Sequence, residues 1–437
     1  MMFNKSLEFF HYVKPEDALE RILTSSNIYP GIEVVDSLES LGRILAEDVI
    51  SPFSIPREDV AHFDGYAVRS SDTISASTTN PVRLKVVGRV EAIVEHDLSI
   101  GDGETVYVVT GTKIPKNADA VIPLERVRMN GEYIEIIKPC KKGDNVTFKG
   151  SDILENEVIL RRGHVIRPQD IRYLLEIRKF KVKVYAKPRV SLIAVGDELT
   201  ENLDEIGRKK LETSTKLVAS YVKEFGGMPK IIGVVPDNPE RILETVKNSL
   251  DYSDISVTIG GISLGVRDLC WRTLSRCLES IPIARGLRIQ PGRATSILVF
   301  SKKPVIMLPG HIQSTLCGTI YTLIPLIYYM SGLSPKKILP TIHAKMDETL
   351  IVKEYRSFKR IRFVKLDRDG DTFTANPILG DSSMLTPILK SDGFIEIPEG
   401  VERIERGSCV DVQILSWPQL LQIFLRDHVH QSNDITY

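Results

Sequence analysis

Val257-Thr258-Ile259-Gly260-Gly261-Ile262-Ser263-Leu264-Gly265-Val266-Arg267-Asp268 decides how the chain is read. An apolar run through Ile255, Val257 and Ile259 stops at a glycine pair. It then passes a serine and a third glycine and reaches an aspartate before an amphipathic stretch near Leu269. This is a strand, a tight loop and a helix start. Such a junction aims free backbone N–H groups and the positive helix end at one place, and glycines let an anion approach the main chain. The loop predicts a phosphate or other oxyanion held at Gly260, Gly261, Ser263 and Gly265; glycines also serve plain turns.

Outward from this loop the texture is alternating strand and helix. Residues 190–195 read as a strand ending at Gly196, 215–225 as a helix ending at Gly226-Gly227, 230–235 as a strand and 238–250 as a helix. That alternation predicts a parallel sheet with helices on both faces, whose ligands sit beyond the carboxyl ends of the strands. Before it, residues 64–146 carry short alternating runs punctuated by Gly, Asn and Asp, as a small β domain does. Pro15-Glu16-Asp17-Ala18-Leu19 opens a helix, 37–49 carries a second helical stripe, and Pro168-Gln169-Asp170-Ile171 starts a third. The expected organisation is a mixed helical domain from 1–52 and 147–187, an inserted β domain over 53–146, an α/β domain over 188–334, and a C-terminal β domain with a tail over 335–437.

Composition narrows the function classes. The 437 residues are 42% hydrophobic and 26% charged, and 57 basic residues balance 57 acidic ones. A nucleic-acid binder would show a basic excess. The five cysteines, Cys140, Cys270, Cys277, Cys317 and Cys409, are scattered and form neither zinc nor disulfide spacing. The first residues lack a secretory apolar core, and the apolar segment 316–333 is interrupted by Gly318 and Pro325, so a buried helix is expected rather than a membrane span. The expectation is a cytoplasmic protein that uses neither nucleic acid nor membrane.

The chemistry gathers at the predicted strand ends: Gly196-Asp197-Glu198-Leu199, Pro236-Asp237-Asn238-Pro239, the 260–268 loop, and Leu308-Pro309-Gly310-His311. Carboxylates beside phosphate-binding amides make electrostatic sense with a cation between them, and such oxygen ligands suit Mg²⁺. Taken singly, Asp237 also reads as a helix cap and Glu198 as a solvated acid. Arg293, after Gln290-Pro291-Gly292, offers a guanidinium to a small oxyanion or else tops a surface turn. Pro309, Gly310 and Ser314 form a second anion-binding helix start.

Taken together, Asp64-Gly65-Tyr66-Ala67-Val68-Arg69, Thr110-Gly111-Thr112-Lys113-Ile114-Pro115, Gly150-Ser151-Asp152-Ile153, the Gly196 and Gly260 loops and Leu308-Pro309-Gly310 resemble, in order, the MoeA/gephyrin E-domain family of molybdopterin molybdenumtransferases. The resemblance covers about residues 15–415. It implies an elongated, L-shaped homodimer and a central α/β domain of the molybdopterin-binding type. That domain would hold adenylylated molybdopterin and molybdate or tungstate, and Mg²⁺-dependent chemistry would release AMP as molybdenum enters the dithiolene. The adenylyltransferase of the same pathway is the implied partner. By the same resemblance Asp64, Thr110, Asp152 and Glu198 are catalytic, Asp64 and Asp152 acting in trans, and Asp237 and Asp268 hold Mg²⁺. Read from the residues alone, Asp64-Gly65 is equally a turn pair, and Thr110 and Asp152 equally begin turns. The chain departs from the family pattern on the oxyanion side. It has Gln290-Pro291-Gly292-Arg293-Ala294 for Lys-Pro-Gly-Lys-Pro, His311-Ile312 for Asn-Pro, and Val266 where an acid is usual. A divergent pterin-binding scaffold, or an unrelated nucleotide- or sugar-phosphate-binding enzyme, is the alternative.

Overall fold

The computed structural model describes residues 11–92, 94–262, 268–336, 339–370, 372–416, 418–421 and 423–424. The chain divides into two compact units, Val34–Val184 and Met1–Glu33 with Tyr185–Tyr437.

The larger unit is built on β1 (Arg189–Val195), α1 (Ser214–Glu224), β2 (Met228–Val235), α2 (Pro239–Tyr252) and β3 (Ile255–Gly260). Side chains of β1 and β3 are buried on both faces, as strands of a helix-covered parallel sheet must be. Asn238 starts α2 by accepting the Arg241 N–H at 2.9 Å, Pro239 takes the first helical position, and Ile242, Val246 and Leu250 line the buried face. There follow α3 (Leu269–Ser275), β4 (Ser280–Arg285), β5 (Ile289–Gln290), β6 (Ser296–Phe300) and β7 (Lys303–Leu308).

The strand order is β2-β1-β3-β7-β6-β4, and β6 runs against both its neighbours. The sheet is therefore mixed, where the βαβ texture predicts a parallel one. The cause is a two-residue hairpin between β6 and β7. Ser301 and Lys302 both take positive φ, 47° and 66°, the twist that matches flanking strands, without the Asn-Gly that usually announces it.

After β7 come α4 (Ile312–Gly318), a π-helical turn over Thr319–Leu323, and α5 (Ile324–Met330). Leu316, Ile320, Leu323, Ile324 and Ile327 pack into the α/β core. Among the described residues no helix is long and apolar enough to cross a membrane.

Strands β8 (Thr341–Met346), β9 (Lys359–Asp369), β10 (Thr372–Pro377), β11 (Gly393–Ile397) and β12 (Cys409–Gln413) follow. They pair in the order β9-β10-β8-β12-β11, with β11 returning to β9, which closes a small barrel. The short β5 of the α/β layer adds to it in parallel, Ile289 opposite Lys359 and Gln290 opposite Arg360.

The smaller unit holds a six-stranded sheet in which Gly65–Val68 lies between Glu104–Val108 and Ala120–Pro123. The helix expected from Pro168 runs over Pro168–Glu176. The helix expected over 37–49 does not form beyond a turn at Ser37–Glu39. Ile44 and Leu45 instead form bridges to Val165 and Val184, so strand contacts override a helical spacing of apolar residues.

Candidate active site

The polar groups at the sheet's carboxyl edge are arranged by backbone geometry. Gly260 closes β3 at φ 90°, and a Cβ there would lie 2.3 Å from the Val195 carbonyl oxygen, so only glycine lets the loop pass. Across from it, a Cβ on Gly310 would come within 3.9 Å of the Gly260 Cα, which brings the loops after β3 and β7 side by side. Asp197 and Asp237, after β1 and β2, are both exposed, and each carboxylate accepts from the other's backbone N–H. Glu198 is also exposed, with its carboxylate folded back over Gly196. Ser263 and Gly265, expected to bind substrate, lie outside the described residues.

Asp268 occupies a different setting from Asp237. It is fully buried, its Oδ1 accepts the Trp271 N–H at 3.4 Å, and its Oδ2 accepts from Arg285 Nη2 at 3.2 Å. Burial pushes its pKa up, against the pull of the Arg285 charge. It caps α3 and joins that helix to β4. Among the described residues no group of three or more His, Cys, Asp or Glu side chains is placed to hold a metal ion. The exposed pair Asp197 and Asp237 fits a Mg²⁺ that takes most of its oxygens from substrate phosphate and water, which is how Mg²⁺ is commonly held.

A cavity of about 490 Å³ lies between the α/β layer and the barrel. The α/β layer contributes Gln290–Ala294 and the Pro309–His311 turn with Ser314; the barrel contributes Glu354, Tyr355, Arg360, Arg362, Asp381 and Ser382. Arg293 stands 4.8 Å above the Tyr355 ring, and Tyr355 holds φ 54°, rare for an aromatic residue. His311 Nδ1 lies 3.1 Å from Ser382 Oγ, so the turn after β7 meets the barrel. The start of α4 is partly occupied by protein, because the Gln313 N–H donates to the Ser382 carbonyl at 3.1 Å. Ser314 is nearly buried at the cavity wall.

In the smaller unit, Asp64 and Thr110 meet. Asp64 Oδ1 accepts from the Thr110 N–H and from its hydroxyl, both at 2.7 Å, and these bonds hold the Asp64 carboxyl below its usual range. Gly65 is not a turn residue. It lies buried in the sheet, and a Cβ there would fall 2.2 Å from the Ile122 carbonyl oxygen. Asp152 is exposed, with its backbone N–H bonded to the Ile55 carbonyl at 3.1 Å.

Sequence reading did not single out Asp197, Tyr355, Arg360, Arg362 or Ser382. Arg360 and Arg362 alternate on one strand, a period-two signal available in the sequence. Tyr355 carries none, because its position depends on a left-handed backbone.

Comparison with known proteins agrees with this architecture. Residues 13–177 match the MoeA N-terminal region (domain I and II), 191–328 a probable molybdopterin binding domain, and 348–415 the MoeA C-terminal region (domain IV). A Methanocaldococcus jannaschii relative, assigned to molybdopterin biosynthesis, is 31% identical over 395 residues, 88% of this chain and 92% of that one. A Staphylococcus aureus molybdopterin molybdenumtransferase is 28% identical over 402 residues, 91% of this chain and 94% of that one. The crystal structure of a molybdopterin biosynthesis MoeA protein from Pyrococcus horikoshii superposes with a TM-score of 0.83 at 34% identity, over 93% of this chain and all of that one. With three successive regions matched and the whole architecture shared, the chain belongs to the MoeA family.

Proposed function

We propose that this chain is a molybdopterin molybdenumtransferase of molybdenum cofactor biosynthesis, transferring molybdate or tungstate into adenylylated molybdopterin with release of AMP. The observation that carries the reading is the arginine-lined cavity, whose walls include Pro309, Gly310 and Ile262 from the same strand-end loops that face a nucleotide in such sheets. The pterin nucleotide lies along the Gly260-Gly261 and Pro309-Gly310 loops, with Ser263 and Gly265 as further contacts. Arg293 and Ser314 face the oxyanion.

Mg²⁺, when bound, would supply charge neutralisation at the pyrophosphate. Asp237 would hold it, with Asp197 beside it. Asp268 serves by capping α3 and joining it to β4. Glu198 orients water or pterin at the strand end. Asp64, kept anionic by Thr110, and Asp152 act from a second copy of the chain in a homodimer. The adenylyltransferase of the same pathway supplies the substrate, and the setting is cytoplasmic.

The test is to incubate the purified protein with adenylylated molybdopterin, Mg²⁺ and either molybdate or tungstate, and to follow AMP release and metal retained on the pterin. Oxyanion-dependent release supports the transferase. Tight pterin binding without release would replace it with a pterin-binding scaffold.

A further inference from the structure

The three arginines of the cavity are placed differently. Arg293 is fixed over Tyr355. Arg360, 1% exposed, donates to the backbone carbonyls of Val352 at 3.2 Å and of Pro398 and Val401 at 2.6 Å, which pins the loop carrying Glu354 and Tyr355. Arg362 lies two residues along the same strand, so it shares a face with Arg360. Among the described residues its side chain has neither a hydrogen-bond nor an ion-pair partner, and its Nε is buried.

A half-buried cation without an ion-pair partner is costly, and a second cation beside it adds to the cost. Burial lowers the Arg362 pKa first and the Arg360 charge lowers it further, while Glu354 opposes both without forming an ion pair. Asp381, the other acid of the cavity wall, accepts from the Ser383 N–H and hydroxyl, each at 3.0 Å. Across the β5–β9 ladder, Gln290 lies opposite Arg360 and brings an uncharged amide whose Oε1 is buried without a partner among the described residues. Among the described residues, the cavity therefore has unsatisfied polar groups on both walls and, on one, a guanidinium without an ion-pair partner.

We infer that Arg362 is an oxyanion-binding residue of this cavity, supplying from the barrel the positive charge that Gln290 does not bring from the α/β layer. The inference rests on the transferase reading of the cavity and names a residue that reading leaves out. A planar guanidinium suits a tetrahedral oxyanion because two N–H groups reach two oxygens at once.

The test is calorimetric titration of the full-length protein with sodium molybdate and with sodium tungstate, without pterin. Arg362→Gln is expected to weaken binding by about 10- to 100-fold, the range of a charge-assisted hydrogen bond. The double variant Gln290→Lys with Arg362→Gln is expected to recover about tenfold or more, because the charge returns from the opposite wall. The melting temperature of Arg362→Gln without ligand should hold or rise, since a like-charge neighbour is gone. Wild-type affinity in Arg362→Gln overturns the inference, and so does a loss accompanied by a fall in melting temperature and in binding of adenylylated molybdopterin. If the wild type binds neither oxyanion, the inference falls, and the AMP-release assay separately decides the transferase reading.

Discussion

Asp197 and Asp237 exchange hydrogen bonds across neighbouring strand ends: the Asp237 N–H donates to Asp197 Oδ1 at 3.2 Å, and the Asp197 N–H to Asp237 Oδ2 at 3.5 Å. Both carboxylates are exposed and, among the described residues, are held in place without a basic partner. This leaves them available to a cation, whereas Asp268 is buried and engaged by Arg285.

Asp237→Ala and Asp268→Ala should therefore fail differently. The first removes an exposed carboxylate and is expected to lower Mg²⁺-dependent AMP release about 100-fold or more, as loss of a metal-positioned charge does, with little change in stability. The second removes the carboxylate facing buried Arg285 and is expected to cost about 3 kcal/mol of stability. AMP release and urea unfolding measured on both variants separate the roles. Equal loss of stability in both would refute the assignment of Asp237.

Gly65→Ala should unfold the smaller unit or open its sheet. The added methyl group would meet the Ile122 carbonyl at 2.2 Å, a backbone atom within a strand pair that has no room to yield. A loss of about 3 kcal/mol or more is expected. Limited proteolysis within 34–184 reads the result, and an Ala variant as resistant as wild type would show that the sheet yields cheaply.

Thr110→Val keeps the shape of the side chain and removes the hydroxyl bond that holds the Asp64 carboxyl down. The Asp64 pKa then rises toward its ordinary value, so the acidic limb of AMP release moves to higher pH while the rate on the alkaline side changes less. A pH–rate profile checks the direction. An unmoved acidic limb would mean that Asp64 need not be ionised for turnover.

Tyr355 links backbone strain to ligand contact. Gly accepts φ 54° readily, so Tyr355→Gly should relieve about 1 kcal/mol of strain, offset by about as much unfolded-chain entropy. It also releases Arg293, and oxyanion affinity should fall several-fold even where the melting temperature holds. Affinity that survives this substitution would assign Tyr355 to packing alone.

Much of the larger unit is legible in the sequence because its signals are local. The apolar run into Gly260-Gly261 marks β3, Asn238-Pro239 marks the start of α2, and the strand-end motifs mark the ligand edge. What escapes is set by contacts distant in sequence. Ser301-Lys302 makes a hairpin without turn residues, and Ile44-Leu45 follows partners more than a hundred residues away. Asp268 resembles a metal ligand in its motif, yet Arg285 from β4 engages it, a relationship that spacing does not encode. Gly65 fits a turn by composition and is required instead by a neighbouring strand.

The short ladder between β5 and β9 bears on how the cavity meets its ligand. Ile289 and Gln290 pair with Lys359 and Arg360, and the Lys359 N–H donates to the Arg288 carbonyl at 3.0 Å, so main-chain bonds join the two walls directly beneath the arginines. A hinge here would have to break that ladder, and water could not replace it without entering the barrel's packing. The ladder thus ties the two walls together at this edge of the cavity. An oxyanion bound there, as proposed above, would meet walls already joined by main-chain bonds, so that edge should need little reorganisation on binding.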